Sequence, residues 1–238
     1  MMGSTHAVSG QAVWLAGSTV AVTAGCHPHP LIVIGGTILA RVAAYLPDLD
    51  HEGSIAARSL GPVSQGVSRA LARACGHRGG THTAAATALV GAGAALVGTL
   101  IGRATTAAVG PAHGWWVGIA VAVGYAAALA GDAATVCGIP LWAPASHQHV
   151  RILPARWQMR TGRAPELLVV GPAMWVLSAG CGGYWLATLA GVMPPLGVWL
   201  ATTIVVGAAA VADGWRRWVR CTRRREQEQQ SRMGASRR

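Results

Sequence analysis

Apolar stretches long enough to cross a bilayer follow one another along most of the chain, at roughly 12–26, 30–47, 84–102, 113–131, 166–190 and 195–213. The pattern predicts an all-α protein, a polytopic transmembrane helix bundle of about six spans. The first two stretches are short, and the second contains Arg41. Gly98 and Gly102 make a small-xxx-small pair in the third, suited to close helix packing in lipid. The expected organisation is a membrane-embedded domain over residues 1–213 and a basic tail over 214–238.

Composition supports this picture: 52% of residues are apolar, 11% are charged, and mean hydropathy is +0.41. All 19 basic residues are Arg. Most of those between and after the spans fall on one side: Arg58, Arg69, Arg73 and Arg78 in 50–83, Arg151, Arg156, Arg160 and Arg163 in 132–165, and nine Arg beyond residue 215. The opposite loops carry only Arg103. By the positive-inside rule both termini are expected in the cytoplasm, in a multi-pass protein of the bacterial cytoplasmic (inner) membrane.

A cleaved signal peptide ending near Thr23-Ala24-Gly25-Cys26 is the competing reading of the first stretch. The n-region, however, has no Arg or Lys, and an uncleaved span is expected. Five scattered Cys form no CxxC pair and suggest neither a zinc knuckle nor a disulfide framework. The tail sets Trp215 and Trp218 among Arg residues before a Gln/Glu/Arg-rich end expected to fray. Interfacial Trp and Arg against anionic headgroups account for it without nucleic acid.

The polar residues that punctuate the spans repeat one idea. Gly3-Ser4-Thr5-His6 and Gly79-Gly80-Thr81-His82 each set a Thr-His pair ahead of an apolar run. Pro47-Asp48-Leu49-Asp50-His51 lies between them, and Asp132 ends the fourth run. Three of the four Asp in the chain thus stand where spans meet water, and the orientation puts them all on the cytoplasmic side. Thr5 and Thr81 are expected helix N-caps, bringing His6 and His82 into first turns at matching depth. Asp132 at a helix C-terminus is disfavoured by the dipole unless a cation is near.

Mixed carboxylate and imidazole ligands suit Zn, Mn or Fe better than Ca. The expected metal ligands are His6, Asp48, Asp50, His51, His82 and Asp132, with a divalent ion, Zn or Mn first. His77 and Glu166 are candidates for proton transfer and Arg78 for anchoring an anionic group. A solvated turn that merely ends a helix is the alternative reading of Asp-Leu-Asp-His taken alone. Solvated loop and lipid anchor are the alternatives for His147 with His149 and for Arg78. His27, His29 and His113 fall on the opposite side.

In order, Thr5-His6, Leu46-Pro47-Asp48-Leu49-Asp50-His51, His77-Arg78-Gly79-Gly80-Thr81-His82-Thr83 and Gly131-Asp132-Ala133-Ala134-Thr135 with Gly138-Ile139-Pro140-Leu141-Trp142-Ala143-Pro144 resemble the signature of the YdjM-type family of bacterial inner-membrane proteins. The resemblance covers roughly residues 1–166 and implies a multi-span protein with metal-dependent hydrolase activity. Similar members generally carry a His four residues before the Asp of the DxxT stretch, and that position here is Ala128. The expected function is a membrane-bound metal-dependent hydrolase with its site at the cytoplasmic face, acting on a phosphoester of a lipid or membrane-associated metabolite. Its expected partners are membrane lipids, with anionic headgroups at the tail. The alternative is a non-catalytic scaffold that has lost part of the metal site; with Arg41 the one ionisable residue inside a span, transport is disfavoured.

Overall fold

The computed structural model describes residues 1–76, 78–104, 114–192 and 194–235, with residues 104 and 221–235 described in backbone only. It is all-α; among the described residues eight α-helices are joined by short turns: α1 Gly3–Thr23, α2 Pro30–Ala43, α3 Ile55–Arg58, α4 Pro62–Cys75, α5 Ala84–Ala104, α6 Trp115–Ala133, α7 Gly171–Leu189 and α8 Leu196–Ala235. No strand forms among the described residues; two isolated bridges, Thr135 with Met159 and Ile139 with Val150, hold the long loop between α6 and α7. The expected helical bundle of about six spans is the observed one.

Among the described residues, five helical segments are long and apolar enough to cross a membrane: Pro30–Asp50, Ala84–Arg103, Trp115–Ala133, Glu166–Leu189 and Leu196–Arg220. The remaining helix of spanning length, α1, has 21 residues and begins at Gly3, not near residue 12 as its hydropathy suggests. The reason is its position. α1 packs against α2, α6 and α7, and residues Thr5 to Gly10 are buried without a break. First turns enclosed by protein instead of lipid can carry His6, Ser9 and Gln11, which lower the hydropathy there and hide the helix start.

Small residues set the helix crossings. A Cβ built on Gly124 of α6 would fall 2.1 Å from the Ala40 carbonyl oxygen of α2, and one on Gly10 of α1 would fall 2.6 Å from the same atom. Three helix backbones therefore meet at Ala40 with no room for a methyl group. Gly98 does the same for α5 and α6, where a Cβ would stand 2.7 Å from Gly114 O.

α7 is entered through a π-helical turn, Glu166–Val170, which accommodates Pro172 and its missing N–H. Gly214 of α8 lies against this turn, where a Cβ would overlap Leu168 O at 1.7 Å. The tail expected to fray instead continues α8 as helix to Ala235. Trp215 stacks on Trp157 of the loop at 5.9 Å and meets Trp218 edge-on at 4.5 Å.

Candidate metal centre

Four separate segments converge at one end of the bundle. Pro47 stops α2 and opens a 3-10 turn, Pro47–Asp50, that carries both carboxylates. A second 3-10 turn, Gly80–His82, precedes α5. Gly79 allows the chain to fold back sharply from α4, since a Cβ there would fall 1.8 Å from Cys75 O. Arg78 beside it adopts φ 59, a left-handed conformation uncommon outside glycine. α1 brings His6 and the last turn of α6 brings Asp132.

His6, Asp48 and Asp132 each place one ligand atom within 4.8 Å of the others, the spacing expected of side chains that can share a cation. His6 and Asp132 are each 1% exposed, and Asp48 is half-buried. His6 Nε2 lies 3.5 Å from Asp132 Oδ1, yet among the described residues neither ring nitrogen of His6 has a hydrogen-bond partner. An imidazole with both nitrogens so placed in a buried site is costly unless another group binds it. Asp132 Oδ1 is further met by the Met1 amine and by Arg78 Nη2 at 3.5 Å, so cationic groups gather where the helix dipole alone would oppose the carboxylate.

His82 approaches the other oxygen of Asp132, its Nε2 3.2 Å from Oδ2. Its other nitrogen faces Asp50 Oδ2 at 3.4 Å and Thr81 Oγ1 at 3.0 Å. Thr81 donates its hydroxyl proton to Asp50 Oδ2 at 2.7 Å and can therefore only accept from the ring. In the neutral imidazole, Nδ1 then carries the hydrogen and Nε2 the lone pair that faces Asp132. Asp50 also accepts the Arg78 N–H at 2.8 Å. This is a carboxylate–histidine arrangement in which Asp50 orients and His82 presents. Burial disfavours a charge on His82, but Asp132 and Asp50 beside it outweigh that, and its pKa is raised above 6.5.

Several expected residues are placed differently. Asp50 stands behind His82 and not in the group formed by His6, Asp48 and Asp132. His51, expected as a ligand, is exposed and turned toward Gly53, because it lies just past the end of the 3-10 turn that directs the two Asp inward. Glu166, expected to move protons, is fully buried with Oε1 accepting from Met2 N at 2.6 Å and Oε2 from Gly162 N at 2.8 Å. Both oxygens hold backbone, which tethers the start of α1 to the π-helical turn. His77 lies outside the described residues, as does His113.

The two threonines are not N-caps. α1 starts two residues before Thr5, with Met2 at the cap position, and it is Thr83 whose Oγ1 accepts from Ala86 N at 3.0 Å. Thr81 is drawn instead to the buried Asp50, a stronger acceptor than water-exposed backbone would offer. The first N–H of α5 is satisfied from the loop, where Leu141 O accepts from Ala84 N at 2.8 Å.

Tyr125 escaped the sequence reading altogether. Its hydroxyl donates to Thr81 O at 2.5 Å, pinning the His82 turn from α6. The available signal was its spacing, seven residues before Asp132 and so on the same helix face. Ala128 lies between them, fully buried, one turn from Asp132. His147 and His149 are exposed, and His149 Nδ1 lies 2.9 Å from Cys137 O.

No curated protein and no solved structure matches the chain. The YdjM inner membrane protein profile matches residues 1–209, which takes in every element of the centre just described. By that match the chain belongs to the YdjM inner membrane protein family.

Proposed function

We propose that this membrane protein is a metal-dependent hydrolase whose centre faces the cytoplasm and acts on a phosphoester of a lipid or membrane-associated metabolite. The observation that carries the reading is the His6, Asp48 and Asp132 group within 4.8 Å, in which His6 and Asp132 are buried and neither ring nitrogen of His6 has a hydrogen-bond partner among the described residues. These residues fit a divalent ion, Zn or Mn by ligand chemistry, with His82 Nε2 as a further donor. Such an ion supplies water activation near neutral pH and polarises a phosphoryl oxygen.

The chain's own residues do the rest. Asp50 and Thr81 fix the His82 tautomer so that a lone pair faces the centre. Arg78 binds the anionic group: its Nη1 is buried and has no hydrogen-bond partner among the described residues, while Nη2 is paired with Asp132. Both termini lie in the cytoplasm, as the Arg of 50–83, 132–165 and 214–238 supports, and the basic tail rests on anionic headgroups. No nucleic-acid partner is required.

A non-catalytic scaffold is the second reading. It is favoured by one observation, that Arg78 at 3.5 Å already offsets the Asp132 charge without a metal. Hydrolysis of lipid phosphoesters in mixed micelles, with and without chelator, separates the two. The hydrolase reading expects product that disappears with chelator and with Arg78→Ala. Product formation unaffected by both, or none from any phosphoester offered, supports the scaffold.

A further inference from the structure

The segment between the two site turns is not a simple loop. Helical geometry divides α4 into three faces. Ser64 and Ser68 are buried against the protein; Val63, Val67, Ala70 and Ala74 line an adjoining exposed face; Gln65, Arg69 and Arg73 form the third, also exposed. Val63 is 69% exposed and Leu60, just ahead of the helix, 72%. Apolar side chains this exposed gain free energy when they leave water, so water is the wrong surrounding for this face. An apolar stripe opposite Gln65 and Arg69 is the arrangement of a helix lying in the membrane interface.

Beneath it runs an apolar groove of about 230 Å³, walled by Val42, Leu46, Leu49, Leu60, Val63 and Val67. Val42 is in the last turn of the spanning helix α2 and 56% exposed, so the groove opens on the side where lipid chains lie. Its other end is the 3-10 turn Pro47–Asp50, in which Leu49 faces the groove between Asp48 and Asp50. The same four-residue turn thus walls a hydrocarbon slot and carries a candidate metal ligand. Around it, residues 51–76 hold Arg58, Arg69 and Arg73 against a single acid, Glu52.

We propose that this groove holds one acyl chain of an anionic bilayer phospholipid, with α4 lying in the interface over it and the headgroup directed toward Asp48. The slot and its acyl chain stand independently of any chemistry; the approach of the headgroup to Asp48, which needs a cation between them, and the identification of that lipid as substrate rest on the hydrolase reading.

The test places benzoylphenylalanine at Val63 or Val67, and at Gln65 as control, in the full chain reconstituted in vesicles of equal phosphatidylglycerol and phosphatidylethanolamine. After irradiation, adducts are identified by intact mass. The proposal expects lipid adducts severalfold more abundant at Val63 and Val67 than at Gln65, with phosphatidylglycerol in excess. Ser59→Trp, which fills the groove, should reduce the Val63 adduct severalfold while leaving unchanged one formed from Leu96 on the lipid-facing side of α5. Equal adducts at Val63 and Gln65, a crosslink to a second copy of the chain, or indifference to Ser59→Trp would each overturn it. Metal content measured on the Ser59→Trp protein should match the parent, so a protein that binds no metal in either form counts against the hydrolase reading and not against the slot.

Discussion

The two ends of this bundle use the same residue types to opposite effect. At one end His6 is buried, Asp132 lies 3.5 Å away, and α1, α2 and α6 touch backbone to backbone at Gly10, Ala40 and Gly124. At the other end α1 and α6 part around a cleft of about 550 Å³ that includes Gly17 and His27, and a Cβ on Gly17 would meet nothing within 4 Å. His27 and His29 are not buried there, and His29 caps α2 through Leu31 N. What separates a centre from a scatter of histidines is convergence: tight crossings bring four segments to one point, and burial makes their polar atoms need each other.

The largest expected contrast is in packing. Gly124→Leu forces a side chain into the Ala40 carbonyl, which belongs to a helix backbone and cannot move aside, and should destabilise the protein by about 3 kcal/mol or more. Gly17→Leu fills empty space and should change stability by no more than about 0.5 kcal/mol. Thermal unfolding in detergent measures both, and equal effects would dissolve the distinction between the ends.

Asp50→Asn comes next. It keeps the shape but removes the charge that orients His82, and divalent-cation affinity should fall about 10–100-fold by calorimetry. His29→Ala at the far end should leave affinity unchanged.

How much of this could be read from sequence follows the same division. Hydropathy locates α5, α6 and α7 with its π-helical turn closely, because each carries charge only at its ends: 84–102, 113–131 and 166–190 against Ala84–Ala104, Trp115–Ala133 and Glu166–Leu189. It fails for the start of α1, where His6, Ser9 and Gln11 are tolerated by protein neighbours. It also leaves α4 unseen, since an amphipathic helix has no long apolar run. The Asp and His residues of the centre stand out as rare polar residues at span ends. Their division of labour does not, because whether Asp50 binds or orients, and whether Glu166 moves protons or holds Met2, depends on which N–H groups the fold brings to them.

His82 gives a pH dependence with two signs. Its raised pKa means that a proton competes for Nε2 from above pH 6.5 downward, so metal affinity should fall as pH is lowered through that pKa. Without metal the sign reverses: the charged ring's contribution to folding is fully present below pH 6.5 and is lost as pH rises through the raised value. Metal titrations and chelated thermal melts across pH 5.5 to 8.5, about the window in which His titrates, would read the two. The same sign for both would show that His82 faces no metal.

The smallest effect belongs to the supporting shell. Thr81→Val removes the hydroxyl between Asp50 and His82 and should cost about 1 kcal/mol of stability, with a smaller loss of metal affinity than Asp50→Asn. An affinity loss as large as that of Asp50→Asn would mean that the hydroxyl, not the carboxylate, sets the ring.

Metal content of the detergent-purified protein, measured by elemental mass spectrometry for the parent chain, His6→Ala and Asp132→Asn, tests the central claim most directly. The account predicts a stoichiometric divalent metal in the parent and its loss from both variants, while His27→Ala retains it. A parent free of metal after purification in metal-supplemented buffer, or metal that survives both substitutions, would contradict it.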